Sequence, residues 1–91
     1  MLELYQAEEC PHSAAVRETL TDLGLSYVAH NPRRIGDDPE VLNEGSHTEL
    51  QAIGGEDQIP FLVDHTKRKT LYESDRIDEY LREQYGSAGG E

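Results

Sequence analysis

The chain has 91 residues, enough for one compact domain, and its 19 acidic against 8 basic residues give a formal net charge of −11. Nucleic-acid binding is not expected at this charge, because contacts with phosphates need clustered basic side chains. No stretch approaches the roughly 20 apolar residues of a membrane span, and the start of the chain lacks the features of a secretion signal, so we expect a cytoplasmic protein without membrane contact.

The chain opens with a predicted strand, residues 2–6, in which Leu2 and Leu4 share one side at the strand period of two. A helix is predicted from Pro11, since a proline at the first helical position removes no hydrogen bond, and apolar residues then recur at helical spacing. Cys10 therefore lies at the N-terminus of the first predicted helix.

A second strand is predicted over residues 25–30, parallel to the first and joined to it by a right-handed crossover. Residues 31–45 are rich in Pro, Gly and Asp, which indicates a loop with one candidate helical turn at residues 39–43. The segment that begins at Ser46 has capping-box spacing, so a short helix is predicted from Ser46 to about residue 53, where two glycines stop it.

Residues 59–64 indicate an apolar strand, and residues 70–72 can return beside it as the second arm of a hairpin. A last helix is predicted over residues 74–85, because its apolar residues recur at i, i+3, i+4 and i+8. Residues 86–91 are polar and rich in glycine, and we expect a disordered tail there. The domain is thus expected to span residues 1–85, as an α/β fold of order βαβαββα with a four-stranded mixed sheet and helices on both faces.

Cys10 is the one cysteine of the chain, so any disulfide must be intermolecular, in keeping with a reducing compartment. A lone cysteine is ordinarily a small buried hydrophobic residue. At the start of a helix, however, unpaired N–H groups and the positive end of the helix dipole stabilise a thiolate, the species that attacks disulfides. The position of Cys10 therefore predicts a reactive thiol.

The segment Cys10-Pro11-His12-Ser13 resembles the C-P-x-C or C-P-x-S motif that begins the first helix of glutaredoxins and of glutathione S-transferase N-terminal domains. The resemblance extends over residues 2–85 and implies a thioredoxin-like fold. It implies that Cys10 is the nucleophile and that Ser13 stands where dithiol members carry their resolving cysteine. Pro11 and His12 complete the implied catalytic segment, which is of the monothiol type.

Gln58-Ile59-Pro60 is similar to the T-V-P segment of the same family, in which a cis proline faces the cysteine. The resemblance implies that the backbone at Ile59 and Pro60 pairs with an extended thiol peptide. The alternative is an ordinary trans proline at the first residue of a strand, the commoner state of an X-Pro bond.

Glu73-Ser74-Asp75 is similar to the segment that binds the γ-glutamyl end of glutathione in transferase N-terminal domains. Such binding is physically sensible, because a helix N-terminus with a serine can accept a carboxylate while Glu73 or Asp75 pairs with an ammonium group. The alternative is that Ser74 merely caps the last helix.

The sequence departs from the family pattern near the cysteine. Glutaredoxins often carry a lysine shortly before it, whereas Glu8 and Glu9 stand here and oppose formation of a thiolate. His12 replaces a common aromatic residue and, if protonated, restores some positive charge; an exposed histidine without a role is the alternative. No Cys or His pair has zinc spacing, so no metal is expected. Pro11 stands where cluster-binding monothiol relatives carry glycine, which disfavours an iron–sulfur role.

The resemblance implies a monothiol, glutaredoxin-like thiol-disulfide oxidoreductase. Its cosubstrate would be a γ-glutamyl low-molecular-weight thiol, glutathione or γ-glutamylcysteine, and its partners protein disulfides or mixed disulfides. No tightly bound cofactor is expected, and we expect a monomer. The alternative is a non-catalytic module of the same fold that binds a thiol or a protein partner. The strong acidity has two interpretations, a well-solvated surface or adaptation to a high-salt cytosol such as that of a halophilic archaeon.

Overall fold

The computed structural model describes residues 1–86. Its elements are β1 (Leu2–Tyr5), α1 (Pro11–Asp22), β2 (Val28–His30), α2 (Glu44–Gly54), β3 (Phe61–Asp64), β4 (Lys69–Tyr72), α3 (Ser74–Leu81) and a π-helical turn (Arg82–Gly86). The strands form one sheet in the order β2-β1-β3-β4, in which β2 is parallel to β1 and the other neighbours are antiparallel. The predicted thioredoxin-like fold, with its mixed sheet, is confirmed. Of the predicted tail, residues 87–91 lie outside the described residues.

Alternation along β1 divides the core between the two faces of the sheet. Leu2 and Leu4 face α1 and α3, in a buried cluster completed by Val16, Leu20, Leu62, Ile77 and Leu81. Tyr5 faces α2, in a second cluster completed by Leu50, Phe61 and Val63. Burial of side chains of this size stabilises a fold by roughly 1.5–3 kcal/mol each. The two clusters account for helices on both faces, as predicted.

The segments around the long loop differ from the prediction. β2 begins at Val28 and not at Leu25, because the amide of Leu25 still donates to the carbonyl of Leu20 at the end of α1 (2.9 Å). The predicted helical turn at residues 39–43 is wrong, since Val41 instead forms an isolated antiparallel bridge with Arg33 across the loop.

The assignment of Ser46 as a helix cap is also wrong. α2 begins at Glu44, and its N-cap is Asn43, whose side chain accepts a hydrogen bond from the amide of Ser46 at 2.9 Å. Asparagine caps a helix as well as serine does, and Glu44 places an acidic side chain in the first turn, which favours this start. The predicted glycine stop is confirmed, because Gly55 closes α2 with a left-handed φ of 88°.

The last helix begins at Ser74 as predicted but changes its winding after Leu81, where the π-helical turn follows. In an α-helix, residues five apart point about 140° away from each other. The i→i+5 winding of a π-turn brings them to one side, and here Tyr80 and Tyr85 both donate to Oδ2 of Asp64, at 2.7 and 2.6 Å.

Asp64 is a fully buried carboxylate at the end of β3. Its second oxygen accepts the amides of Thr66 and Lys67 in the β3–β4 turn, at 3.1 and 3.3 Å. Burial alone would raise the pKa of Asp64, but the hydrogen bonds from the two tyrosines and the turn amides outweigh it and hold the pKa below its ordinary value. Burial and the neighbouring carboxylate raise the pKa of Tyr85 to about 12. Asp64 thus joins the hairpin turn to the last helix.

Candidate functional site

Cys10 is the N-cap of α1, and Pro11 is the first helical residue, as predicted. The backbone of Cys10 is extended (φ −83°, ψ 119°), and its Sγ accepts a hydrogen bond from the amide of Ser13 at 3.5 Å. Its own amide donates to the carbonyl of Ala7 at 3.2 Å. The sulfur therefore accepts a hydrogen bond from one of the free amides of the helix N-terminus. Only 5% of Cys10 is exposed.

Ser13 holds the segment before the cysteine in place. It is fully buried, and its Oγ accepts a hydrogen bond from the amide of Ala7 at 3.3 Å. The amide of Ser13 thus donates to Cys10, and its hydroxyl oxygen accepts from Ala7. Ser13 therefore connects the start of α1 to the loop that positions the sulfur.

A cleft with a volume of about 240 Å³ lies beside the start of α1. Its lining residues are His12, Gln58, Ile59, Pro60, Glu73, Ser74 and Asp75. The peptide bond between Ile59 and Pro60 is cis, which confirms that prediction. The structure thus brings the proline segment and the acidic segment together with His12. Cys10, Pro11 and Ser13 are not among the lining residues.

The start of α3 presents Ser74 to the cleft. The N-cap is Glu73, whose side chain makes no capping hydrogen bond, and Ser74 is the first helical residue, so the alternative in which Ser74 caps the helix is wrong. Glu73 has a φ of 72°, a strained value for a residue with a side chain. Its carboxylate lies 3.7 Å from Arg76, and Ser74 Oγ lies 3.5 Å from Nδ1 of His12.

Both acidic residues before the cysteine are paired with arginines. Glu8 lies 3.8 Å from Arg17 of α1, and Glu9 lies 3.4 Å from Arg34 of the long loop. The segment before Cys10 therefore carries less unbalanced negative charge than the sequence alone indicates.

Sequence reasoning did not assign a role to Gln58, the first residue of the proline segment, or to Asp57, which precedes it outside the cleft lining. Gln58 directly precedes the Ile-Pro pair and lines the cleft together with it. The carboxylate of Asp57 pairs with Arg33 at 2.7 Å and with His47 at 2.9 Å. The sequence offered one indication of this pairing, the presence of arginines in the otherwise acidic loop of residues 31–45.

A metal centre is not built by the described part of the chain, since no three His, Cys, Asp or Glu side chains of residues 1–86 lie close enough to hold one ion. His30 and His65 instead flank the carboxylate of Glu3, and hydrogen bonds from both lower the pKa of that carboxyl. None of the helices within residues 1–86 combines the length and the apolar character needed to cross a membrane.

Comparison with known proteins identifies the family. The sequence matches the family model described as glutathione S-transferase, N-terminal domain, over residues 4–89. No curated protein matches the sequence significantly.

Solved structures share the fold. A diazinon-metabolizing glutathione S-transferase of the silkworm Bombyx mori superposes with a TM-score of 0.72 at 22% identity, over 98% of this chain and 40% of that one. The glutathione transferase URE2P6 from Phanerochaete chrysosporium, in complex with oxidized glutathione, gives 0.73 at 26% identity, over 97% and 38%. Ure2p in complex with glutathione gives 0.73 at 22% identity, over 99% and 35%.

The chain therefore spans 40% or less of the length of these three structures. The family match, by contrast, runs through almost all of its own sequence. This match shows that the chain belongs to the family of glutathione S-transferase N-terminal domains.

Proposed function

We propose that this domain binds a γ-glutamyl low-molecular-weight thiol in the cleft and that Cys10 exchanges disulfides with it by a monothiol route. The observation that carries the proposal is the cleft itself, which joins the Ile59-Pro60 segment to the Glu73-Ser74 corner beside the helix that Cys10 caps. Family members of known structure are described in complex with glutathione and with oxidized glutathione, which supports glutathione or γ-glutamylcysteine as the ligand.

The γ-glutamyl group would lie at the start of α3. Its carboxylate would accept hydrogen bonds from Ser74 Oγ and from the free amides of the first helical turn. Its ammonium group would pair with Glu73 or Asp75, the two carboxylates of the cleft lining. His12, whose Nδ1 lies 3.5 Å from Ser74 Oγ, would hold the serine hydroxyl in place.

The exchange would run in two steps. The Cys10 thiolate attacks the glutathione sulfur of a protein–glutathione mixed disulfide, so that a Cys10–glutathione disulfide forms and the protein thiolate leaves and takes up a proton. A second glutathione thiolate then attacks this mixed disulfide, which yields oxidized glutathione and restores the Cys10 thiolate. Ser13 cannot form a disulfide, so the second thiol molecule is required. A reducing cytoplasm would supply that thiol.

The second candidate function is a non-catalytic module that binds a thiol or a partner protein. It is favoured by the burial of Cys10, of which 5% is exposed, and by the absence of the sulfur from the cleft lining. A sulfur held in this way needs a small movement of the loop before α1 to meet a disulfide.

Incubation with oxidized glutathione, followed by intact-mass measurement, separates the candidates. The monothiol enzyme gains one glutathionyl group on Cys10, loses it on addition of glutathione, and turns over a mixed-disulfide substrate. Cys10→Ser abolishes both the mass gain and turnover while still binding S-methylglutathione, which carries no free thiol. Binding without turnover in the unmutated protein would favour the non-catalytic module. Absence of binding to S-methylglutathione and to γ-glutamylcysteine would refute both candidates as thiol-binding proteins.

A further inference from the structure

Three polar side chains meet at the residue that precedes the first lining residue of the cleft, Gln58. Oδ1 of Asp57 accepts a hydrogen bond from Nε of Arg33 at 2.7 Å, and Oδ2 lies 2.9 Å from Nε2 of His47. Arg33 comes from the long loop, His47 from α2, and Asp57 from the connection between α2 and β3. We name this group of Arg33, His47 and Asp57 the Asp57 clamp.

Arg33 also holds the backbone at the same position. Its second terminal nitrogen donates to the carbonyl of Asp57 at 3.2 Å, and the first donates to the carbonyl of Arg34 at 2.8 Å. The carbonyl of Asp57 belongs to the peptide group that contains the amide of Gln58, a lining residue of the cleft. Arg33, whose side chain is 12% exposed, therefore holds both the carboxylate and the peptide plane of Asp57, immediately before the cleft wall formed by residues 58–60.

The charge state of Asp57 favours the clamp at neutral pH. Burial alone would raise the pKa of Asp57, but hydrogen bonds from Arg33 and His47 outweigh it and hold the pKa below its ordinary value. The carboxylate is thus ionised when the protein is near neutrality, and both of its oxygens are engaged.

Residues 58–60 have other supports besides the clamp, because Ile59 packs against the second core cluster and Tyr72 holds Glu56. α2 buries only two side chains, Ser46 and Leu50, so its hold on the sheet is narrow. One residue before the clamp, the hydroxyl of Tyr72 donates to the carbonyl of Glu56 at 2.8 Å and accepts its amide at 3.0 Å. Loss of the clamp therefore leaves the connection attached at Glu56 while freeing the peptide that leads into Gln58.

We propose that the Asp57 clamp positions the wall of the cleft formed by residues 58–60, and thereby sets affinity for the thiol without taking part in the exchange chemistry. The statement about the wall stands on the geometry alone, whereas the statement about affinity rests on the proposed function. Asp57, Arg33 and His47 are positioning residues, because none of them lines the cleft.

The wall is tested first, in the full chain and without any ligand. Asp57→Asn keeps the shape of the side chain and removes its charge, and Arg33→Gln removes the donors. Each should shift the NMR amide signals of Gln58 and Ile59 in the same direction. The matched control is Glu9→Gln, which breaks the ion pair between Glu9 and Arg34 in the same loop and should leave those signals in place. Unchanged signals at Gln58 and Ile59 in the folded clamp variants would overturn the proposal.

Affinity is tested next, with S-methylglutathione as the probe. Asp57→Asn and Arg33→Gln should each weaken binding about fivefold, which corresponds to about 1 kcal/mol. The loss of affinity in the double variant should be smaller than the sum of the two single losses, since both changes break the contact between Arg33 and Asp57. The rate at which iodoacetamide alkylates Cys10 should not change, because that reagent reacts with the sulfur without binding to residues 58–60.

The outcomes are distinguishable. Lower stability with unchanged affinity would reduce the clamp to a structural role and overturn the statement about affinity. If the unmutated protein fails to bind S-methylglutathione, the proposed function is refuted, and with it the statement about affinity, while the amide shifts still decide the statement about the wall.

Discussion

Replacement of Asp64 by asparagine should destabilise the domain by about 2–3 kcal/mol. Asp64 Oδ2 accepts two tyrosine hydroxyls, at 2.7 and 2.6 Å, in a fully buried position. A hydrogen bond to a charged group contributes about 1.5–3 kcal/mol and a neutral one about 0.5–1.5 kcal/mol, so each tyrosine contact loses about 1–1.5 kcal/mol when the charge is removed. Asparagine still offers an acceptor to the amides of Thr66 and Lys67, so the turn itself should persist.

Urea unfolding at pH 7 measures this change, with an unaltered dependence of free energy on urea if the two states keep their exposed surfaces. Tyr85→Phe should cost about 1–3 kcal/mol, and the double variant with Asp64→Asn should cost less than the sum, because the two changes share one contact. Tyr27→Phe, which alters a partly buried tyrosine that packs against the core but lies outside this network, is the matched control. A cost below about 0.5 kcal/mol for Asp64→Asn would refute the reasoning, since such a value is typical of an unremarkable surface position.

The pH dependence of the same variant gives an independent check. The folded state lowers the pKa of Asp64, so its contribution to stability is fully present above the ordinary pKa near 3.8 and is lost as the pH falls through the folded value. The difference in unfolding free energy between the unmutated protein and Asp64→Asn should therefore stay constant from pH 7 to about 5 and shrink in more acidic solution. A difference that grows on acidification would have the wrong sign.

Three further substitutions test other contacts. Ser74→Ala should weaken binding of S-methylglutathione by about 1–2 kcal/mol. It should change the free energy of unfolding in urea by less than about 0.5 kcal/mol, because Ser74 is not the N-cap. An equal loss of affinity and stability would show that the role of Ser74 is structural. Ser13→Ala should lower the free energy of unfolding by about 1–3 kcal/mol, since it leaves the buried amide of Ala7 without its acceptor, and an unchanged urea midpoint would contradict this. Gly54→Ala should cost about 1–3 kcal/mol in the same assay, because the new methyl group would overlap the hydroxyl of Tyr72 and lie 2.9 Å from the ring of Phe61; a neutral result would show that those rings move aside freely.

The parts of this molecule that follow from local sequence were predictable. The leucines of β1, the proline at the start of α1 and the glycines that end α2 each act within a few residues, and their elements appear where the patterns place them. The start of α2 was misplaced because Asn43 and Ser46 are both good caps three residues apart, and the choice depends on the first turn as a whole.

The contacts between distant segments were not predictable in the same way. Arg33 and Asp57 are 24 residues apart, and their pairing depends on the path of a loop that has no regular structure. The pairing of Glu9 with Arg34 of the long loop was hidden for the same reason, so the sequence overstated the negative charge around Cys10. Tyr85 was correctly placed on the core-facing stripe, but its bond with Asp64 depends on a change of helical winding that apolar spacing does not indicate.

The π-helical turn after Leu81 has a consequence for chain length. Residues four apart are neighbours on an ordinary α-helix, whereas Tyr80 and Tyr85 are five apart and need the wider winding to share one carboxylate. Removal of one residue from 82–84 would place the second tyrosine four positions after the first. On a regular α-helix, this spacing puts both tyrosines on the side of the helix that faces Asp64. We therefore expect the network to persist when one residue of this segment is removed, and relatives with an uninterrupted last helix should carry the tyrosine pair at a spacing of four.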